Sequence, residues 1–152
     1  MDKKNRELIH YIISKAPRSS VTSLIKLAYL TDLVSLKQRN KKISNFKYVR
    51  YFYGPFDNEI YKILEKLLEE ESIESSLLFT VDHDYAVYTT TTEPKLTEIS
   101  DEEKRCIDEV LNELSGYGAK VLTEIAYKTE PMQKLNATLG GNEHLNEELE
   151  LV

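Results

Sequence analysis

The chain has 152 residues, of which 41% are hydrophobic and 30% are charged. This composition is typical of one soluble globular domain with its own core, and it excludes a disordered chain. The single cysteine, Cys106, excludes an internal disulfide framework, and no apolar run approaches the roughly 20 residues of a membrane helix.

Charged and aromatic residues are unevenly distributed along the chain. Residues 1–62 carry 13 Lys and Arg against 5 Asp and Glu, whereas residues 63–152 carry 7 against 21, and the whole chain has a net charge of -6. Seven of the fourteen aromatic residues lie within residues 46–61. A functional interpretation has to account for this basic, aromatic stretch.

Two helices are predicted at the start of the chain. Apolar residues at helical spacing predict the first over residues 5–15, which Pro17 ends. The second is predicted over residues 21–38, with Ser19 or Ser20 as its cap. Apolar residues surround most of this second helix, so we expect it to be central and largely buried.

The middle of the chain is predicted to be mostly strand. Aromatic and β-branched residues favour a strand near residues 46–53, which Gly54-Pro55 should end, and Asp57 should cap the helix that follows. A hairpin is predicted near residues 77–90, with Asp82-His83-Asp84 as a polar turn.

The second half is predicted to be helical. Ser100 and Glu103 form a capping box, a further helix is expected over residues 119–127, and Pro131 fits the first turn of a short last helix. Together the elements predict an α+β fold: one mostly helical domain over residues 1–141, with a small antiparallel sheet of about three strands. Residues 142–152 are acidic, and we expect them to be a frayed tail.

The residues do not suggest an enzyme. The chain lacks a glycine-rich phosphate loop, a Cys-x-x-Cys pair and a His-Glu-x-x-His zinc motif. Cys106 precedes Ile107 on a predicted core-facing helix, which is typical of a buried structural thiol. We therefore predict no catalytic residues, no metal and no cofactor.

A protein-binding surface is the better hypothesis. Residues 33–56 contain no acidic residue and interleave basic with aromatic side chains. Cross-strand packing explains one face of the aromatic strand, while Tyr and Arg are enriched at protein–protein contacts. We predict that the partner contacts are made by Lys41, Lys42, Lys47, Arg50, Tyr51 and Tyr53.

Nucleic-acid binding is the alternative. Basic side chains among aromatic ones can neutralise phosphates and stack bases, and two helices followed by a hairpin resemble a winged helix-turn-helix. A DNA-binding regulator would, however, need an exposed polar face on its recognition helix, and the second predicted helix is apolar all round.

Three short motifs resemble the Panacea (SocA-like) antitoxin domain. Lys26, Tyr29 and Asp32 match a helix of the pattern K-L-x-Y-x-x-D. Tyr53-Gly54-Pro55, followed by Asp57 and Tyr61, matches an aromatic strand that ends in Y-G-P before a helix. Leu122 with Glu130-Pro131 matches a closing S-A-x-x-L…E-P segment. The chain departs from the family in having no tryptophan, in Tyr127 at an expected histidine and in Gly118 at an expected Ser or Thr cap.

The resemblance covers roughly residues 5–135 and implies a function. Such domains occur in phages, prophages and toxin–antitoxin loci, and they neutralise a cognate toxin by direct binding. Some resemble adaptors that deliver the toxin to a protease complex. The expectation is therefore a non-enzymatic, phage-associated, cytoplasmic antitoxin whose partner is a toxin protein. Tyr53-Gly54-Pro55 itself is expected to be structural, because turn formation alone explains its Gly and Pro.

Overall fold

A computed structural model describes residues 1–151 of the protein. The fold is α+β and mostly helical, as predicted. Six helices and two separate antiparallel hairpins follow in the order α1 (Lys3–Lys15), α2 (Val21–Arg39), β1 (Val49–Tyr51), β2 (Gly54–Phe56), α3 (Glu59–Glu69), β3 (Ile73–Phe79), β4 (Asp84–Thr90), α4 (Asp101–Leu114), α5 (Ala119–Tyr127) and α6 (Glu130–Lys134).

Helix α2 is the centre of the core. It packs against α1, α3, α4, α5 and β2, which explains why its apolar residues run around most of its circumference. The side chain of Ser20 accepts a hydrogen bond from the amide of Ser23 at 3.2 Å and caps its first turn. Asn40 ends it in the left-handed conformation, at φ 62°.

The predicted aromatic strand is in fact the first half of a short hairpin. Val49 pairs with Phe56, Arg50 with Pro55 and Tyr51 with Gly54, so that Phe52 and Tyr53 form a two-residue turn. Gly54-Pro55 therefore begins the return strand instead of ending the first one. The strand does not join the later hairpin, and the expected sheet of about three strands is instead two sheets of two strands.

The second hairpin matches its prediction and extends it by a few residues. Ile73 pairs with Thr90 and Phe79 with Asp84, and the polar turn lies between the strands. Tyr88 of β4 also exchanges backbone hydrogen bonds with the α1–α2 connection, as the acceptor for Arg18 at 2.8 Å and the donor to Ser19 at 3.0 Å. This bridge holds the hairpin against α1.

Local capping signals act as predicted, with one shift. The capping box of Ser100 and Glu103 is present at the start of α4. Asn58, and not Asp57, is the N-cap residue of α3. The Asp57 carboxylate still accepts hydrogen bonds from the amides of Glu59 at 2.9 Å and Lys47 at 2.8 Å, so it joins the helix start to the segment just before β1.

A carboxylate on α1 organises the connection before α4. Glu7 accepts hydrogen bonds from the amides of Thr97 and Glu98, both at 2.9 Å, from that of Ile99 at 3.4 Å and from the Thr97 hydroxyl at 2.7 Å. Burial acts to raise the pKa of Glu7, but these donors hold the pKa below its ordinary value.

The expectation of a frayed acidic tail is wrong for residues 146–151. The amide of Asn146 donates to the carbonyl of Arg50 at 2.6 Å, and the amide of Leu149 donates to that of Tyr48 at 2.9 Å. Backbone hydrogen bonds and the burial of Leu149 offset the cost of ordering this segment. Val152, the last residue of the predicted tail, lies outside the described residues.

None of the helices in residues 1–151 is both long enough and apolar enough to cross a membrane.

Candidate functional site

Three polar side chains of α2 lie on one side of the helix and are buried together with the core. Lys26, Tyr29 and Asp32 follow one another at three-residue spacing, which places them on adjacent turns. Each one contacts a different part of the chain. The family motif on α2 is therefore a set of internal connections.

Asp32 organises the connection between α2 and β1. Its carboxylate accepts hydrogen bonds from the amides of Ile43 and Ser44, both at 2.9 Å, from the Ser44 hydroxyl at 2.5 Å and from the Tyr48 hydroxyl at 2.6 Å. Burial, together with the negative charge of Asp32, raises the pKa of Tyr48 well above its usual range. A buried carboxylate with four donors fixes the path of the chain into the hairpin.

Tyr29 connects α2 to the segment between α5 and α6. Its hydroxyl shares a 2.7 Å hydrogen bond with the Thr129 hydroxyl, and burial raises its pKa to about 12. The Tyr29 ring also meets the Tyr48 ring edge-on, with centroids 5.2 Å apart. The contact between the two tyrosine rings thus links the segment between α5 and α6, which Tyr29 holds, to the segment before β1, which Asp32 holds.

Lys26 lies beneath the first hairpin. Its side chain is 1% exposed, and Nζ donates a 3.0 Å hydrogen bond to the carbonyl of Pro55. Within residues 1–151 no carboxylate lies within ion-pair distance of it. Burial lowers the pKa of Lys26 to about 7, because no negative charge offsets the loss of water.

Three long side chains hold the hairpin turn from below. The Arg50 guanidinium donates to the carbonyl of Tyr51, the Tyr127 hydroxyl to that of Phe52 at 3.1 Å, and Lys26 to that of Pro55. Gly54, in the same turn, has a φ of 100°, which favours glycine. The turn is thus fixed by buried donors on its inner side.

Arg50 is fully buried, so the predicted surface contact at this residue is wrong. Its guanidinium donates to the carbonyls of Thr138 and Gly141, both at 3.0 Å, and lies over the Tyr127 ring at 5.5 Å from the centroid. Strand alternation places Arg50 on the same face as Tyr48, and that face is the one that packs on the core.

The outer side of the hairpin carries exposed aromatic rings. Tyr51 stacks on Phe56 with centroids 5.3 Å apart, and meets Phe52 at 5.2 Å. Phe56 in turn contacts Tyr61 of α3 at 5.6 Å. Tyr51, Phe52 and Tyr61 are 39%, 49% and 54% exposed. We call these four residues, Tyr51, Phe52, Phe56 and Tyr61, the aromatic patch.

The other predicted contact residues lie in different surroundings. Tyr53 is exposed at the hairpin turn and lines an open groove of about 390 Å³ with residues of α5 and none of the patch. Lys41 and Lys47 are exposed. Lys42 is half-buried, donates to the carbonyl of Phe46 and lies over the Tyr48 ring. The structure therefore brings Tyr51, and not the lysines, into the aromatic patch.

Three of the basic residues of this region are engaged within the protein. Arg39 donates to the carboxylate of Glu102 at 2.7 Å and to the Ser35 hydroxyl at 2.8 Å, while Arg50 and Lys42 serve backbone carbonyls. Helix α2 is buried and cannot enter a DNA groove. The winged-helix alternative thus loses both its recognition helix and much of its positive surface.

No catalytic arrangement is evident in residues 1–151. An open polar cleft of about 670 Å³ contains Glu7 and His10, but Glu7 is occupied by its backbone donors. Burial lowers the pKa of His10, whose ring lies 3.2 Å from the carbonyl of Thr92. Cys106 is buried, which raises the pKa of its thiol. No group of three or more His, Cys, Asp or Glu in this range is placed to hold a metal ion.

Sequence reasoning missed two features of this region. Phe52 was not expected to be at the surface, although an aromatic residue in a hairpin turn is a signal of exposure, because a turn has no core-facing side. Phe56, in β2, was not expected to contact these exposed rings while packing partly against the core. The buried amine of Lys26 carried no signal, since a lysine on an apolar helix is usually solvated at its tip.

Comparison with known protein families identifies the family to which the chain belongs. Residues 24–131 match the family described as "Antitoxin SocA-like, Panacea domain", which is more than half of the chain. The matched range contains α2 from Leu24 onward with its three buried polar residues, the aromatic hairpin and the closing Glu130-Pro131. No curated protein and no solved structure matches the chain significantly.

Proposed function

The chain belongs to the SocA-like antitoxin family defined by the Panacea domain, and from this premise we propose that it binds a cognate toxin protein directly and neutralises it. Membership suggests a toxin–antitoxin role, and the family is generally non-enzymatic. We propose that the protein acts in the cytoplasm and recognises its toxin through the aromatic patch.

The aromatic patch is the observation that supports this proposal. Four rings form a continuous row from the hairpin turn to α3, and three of them are between 39% and 54% exposed. Exposed aromatic clusters of this kind are typical of protein-binding surfaces, where Tyr and Phe supply large contact areas. The turn beneath is held by buried hydrogen bonds, so the rings are presented on a fixed backbone.

Co-expression with the product of the neighbouring gene tests the proposal. The toxin candidate is induced alone, with the native chain, and with chains carrying Tyr51→Ala, Phe52→Ala or Tyr61→Ala. We expect the native chain to restore growth and to co-purify with the candidate. Each patch variant should weaken binding by about 10- to 100-fold, because central aromatic contacts carry about 1–3 kcal/mol each.

Tyr117→Ala is the matched control. Tyr117 is 49% exposed, as Phe52 is, but it lies in the connection between α4 and α5. We expect this variant to bind and rescue like the native chain. Full rescue by all three patch variants would contradict the assignment of the patch, and the absence of both rescue and binding with the native chain would reject that toxin candidate.

Purified proteins separate direct neutralisation from delivery to a protease. If the chain inhibits its toxin with no protease present, neutralisation is by binding. If inhibition requires a protease complex and the toxin disappears with time, the chain is an adaptor. We propose direct neutralisation. The aromatic patch by itself provides a surface on which the toxin can dock, so binding needs no second protein.

DNA binding is the weaker candidate, because Arg39, Lys42 and Arg50 are engaged within the protein. A mobility-shift assay over a series of salt concentrations tests it. Specific binding whose affinity falls steeply with salt would favour a DNA-binding regulator over an antitoxin that acts on protein alone.

A further inference from the structure

The edge of β1 that faces away from β2 is occupied by a later part of the same chain. The amide of Arg50 donates to the carbonyl of Glu147 at 2.8 Å, and the amides of Asn146 and Leu149 donate to the carbonyls of Arg50 and Tyr48. Val49 and Glu148 face each other as an antiparallel bridge. Residues 146–149 therefore act as a third strand beside the aromatic hairpin.

This covering segment, residues 146–151, is anchored by two leucines. Leu149 is buried in the main core, and Leu151 lines an apolar groove beside Leu33, Val34 and Ile125. Glu147 and Glu148 before them and Glu150 between them are exposed. Apolar side chains two residues apart with acidic ones between them are the pattern of a strand that binds with one face inward.

The covering segment has features of a displaceable strand. It lies outside the range that matches the family, which ends at residue 131. His144 and Asn146 have φ values of 59° and 65°, in the left-handed region that few non-glycine residues adopt. Residues 146–148 are exposed, so that Leu149 and Leu151 supply the apolar contacts.

We propose that the edge of β1 is a strand-binding site, which the covering segment occupies until an extended segment of the partner protein replaces it. The partner segment is expected to match the chemistry of the cover: two apolar residues at alternate positions, with one acidic residue between them and acidic residues before them. Partner main chain would then pair with Tyr48 and Arg50, directly behind the aromatic patch. This inference rests on the proposed toxin-binding function and names the kind of partner segment.

Hydrogen exchange of the unmodified chain tests whether the edge opens. The amides of Arg50 and Leu149 are expected to exchange together, and at least ten times faster than the amide of Tyr29 in α2. Equal protection of these three amides would show that the cover leaves only when the whole protein unfolds, and would overturn the proposal.

A labelled peptide with the sequence of residues 142–151 tests whether the edge accepts a strand from another molecule. Fluorescence anisotropy is measured with the full chain carrying Leu149→Ala and Leu151→Ala, whose own cover is weakened. We expect the peptide to bind at least ten times more tightly than a control peptide in which the same two leucines are serines. Equal binding of the two peptides, or none, would overturn the proposal.

A reversible lock provides a second variant. Val49 and Glu148 form a pair of the non-hydrogen-bonded type, in which Cα atoms lie about 4.5 Å apart, so Val49→Cys with Glu148→Cys can form a disulfide. Cys106 is buried and does not compete. In the chain that also carries Leu149→Ala and Leu151→Ala, the oxidised form should bind no peptide, and reduction should restore binding to the level of the same chain without the two cysteines. Peptide binding to the oxidised chain would overturn the proposal.

Molecular mass in solution identifies the occupant. If the weakened-cover variant is a monomer that binds the peptide, a partner segment is supported. If it forms dimers by exchanging covers, the occupant is a second copy and the partner assignment is overturned. Because these measurements contain no toxin, their failure leaves the proposed function standing, and loss of toxin binding leaves the strand site standing.

Discussion

The amine of Lys26 and the carbonyl of Pro55 form a hydrogen bond of 3.0 Å inside the protein. Among residues 1–151 no carboxylate lies within ion-pair distance of the lysine, and burial lowers its pKa to about 7. The family motif on α2 thus places an amine that is half charged near neutral pH beneath the aromatic hairpin.

Lys26→Met should change how stability depends on pH. The unfolded lysine keeps its proton up to its usual pKa of 10.5, whereas the folded one loses it near pH 7. The unfolded state therefore binds more protons between these values, and the native chain should gain stability over the variant by up to about 1.4 kcal/mol per pH unit above 7. Urea unfolding of both chains at pH 7 and pH 9 measures this gain. A difference that does not change with pH would contradict a neutral buried amine.

Asp32→Ala should destabilise the fold by about 3–5 kcal/mol, because it leaves buried donors without an acceptor. The stranded groups are the amides of Ile43 and Ser44 and the hydroxyl of Tyr48. Asp32→Asn keeps one acceptor and should cost about 1–3 kcal/mol. Chemical denaturation of both variants measures the difference. If alanine costs no more than asparagine, the carboxylate does not organise this connection.

Gly54→Ala should destabilise the chain by about 1–3 kcal/mol, because an L-residue is strained at a φ of 100°. The added Cβ would also lie 3.4 Å from Cε of Lys26 and 3.5 Å from the Tyr127 ring. Gly116→Ala is the control, since a Cβ there meets no atom within 4 Å. That variant should stay within about 0.5 kcal/mol of the native chain. Thermal unfolding of the two variants tests whether glycine is required at position 54, and equal unfolding midpoints would refute that requirement.

Glu7→Gln should lower stability at pH 6 by about 1–3 kcal/mol, because hydrogen bonds to a charged acceptor are replaced by weaker ones. Hydrogen bonds hold the pKa of Glu7 in the folded protein below its value in the unfolded chain. The contribution of Glu7 to the free energy of unfolding is therefore fully present above the unfolded pKa. The contribution is lost as pH falls through the folded pKa. The difference in free energy of unfolding between the two chains, measured by urea denaturation, should therefore shrink as the pH is lowered below 4.5, and a difference that stays constant would contradict this role.

Local signals predicted most of the helical architecture. The capping box at Ser100 and the helix over residues 119–127 depend on side chains within one or two turns, so the sequence contains all the relevant interactions. The covering segment was missed because its partners, Tyr48 and Arg50, lie about a hundred residues earlier. The acidic composition of the covering segment predicts that its glutamates are exposed, but it does not predict that its backbone pairs with β1.

The candidate site was predicted in part, and the errors have a common cause. Strand alternation puts Arg50 and Tyr51 on opposite faces, but alternation alone does not say which face packs on the core, and both residues were predicted as contacts. Phe52 shares the parity of Arg50, yet it is exposed because it belongs to the turn, where alternation ends. Tyr51 and Tyr53 do lie at the surface, and their role in binding stays a prediction.

The three buried donors under the hairpin have a consequence for the thermodynamics of association. Lys26, Arg50 and Tyr127 fix carbonyls on both sides of the turn, so its backbone has lost its conformational entropy during folding. A partner that docks on the rings would not have to order them, and more of its contact energy would remain as affinity. Substitutions of these inner side chains would then weaken recognition by loosening the turn, although the side chains themselves do not touch a partner docked on the rings.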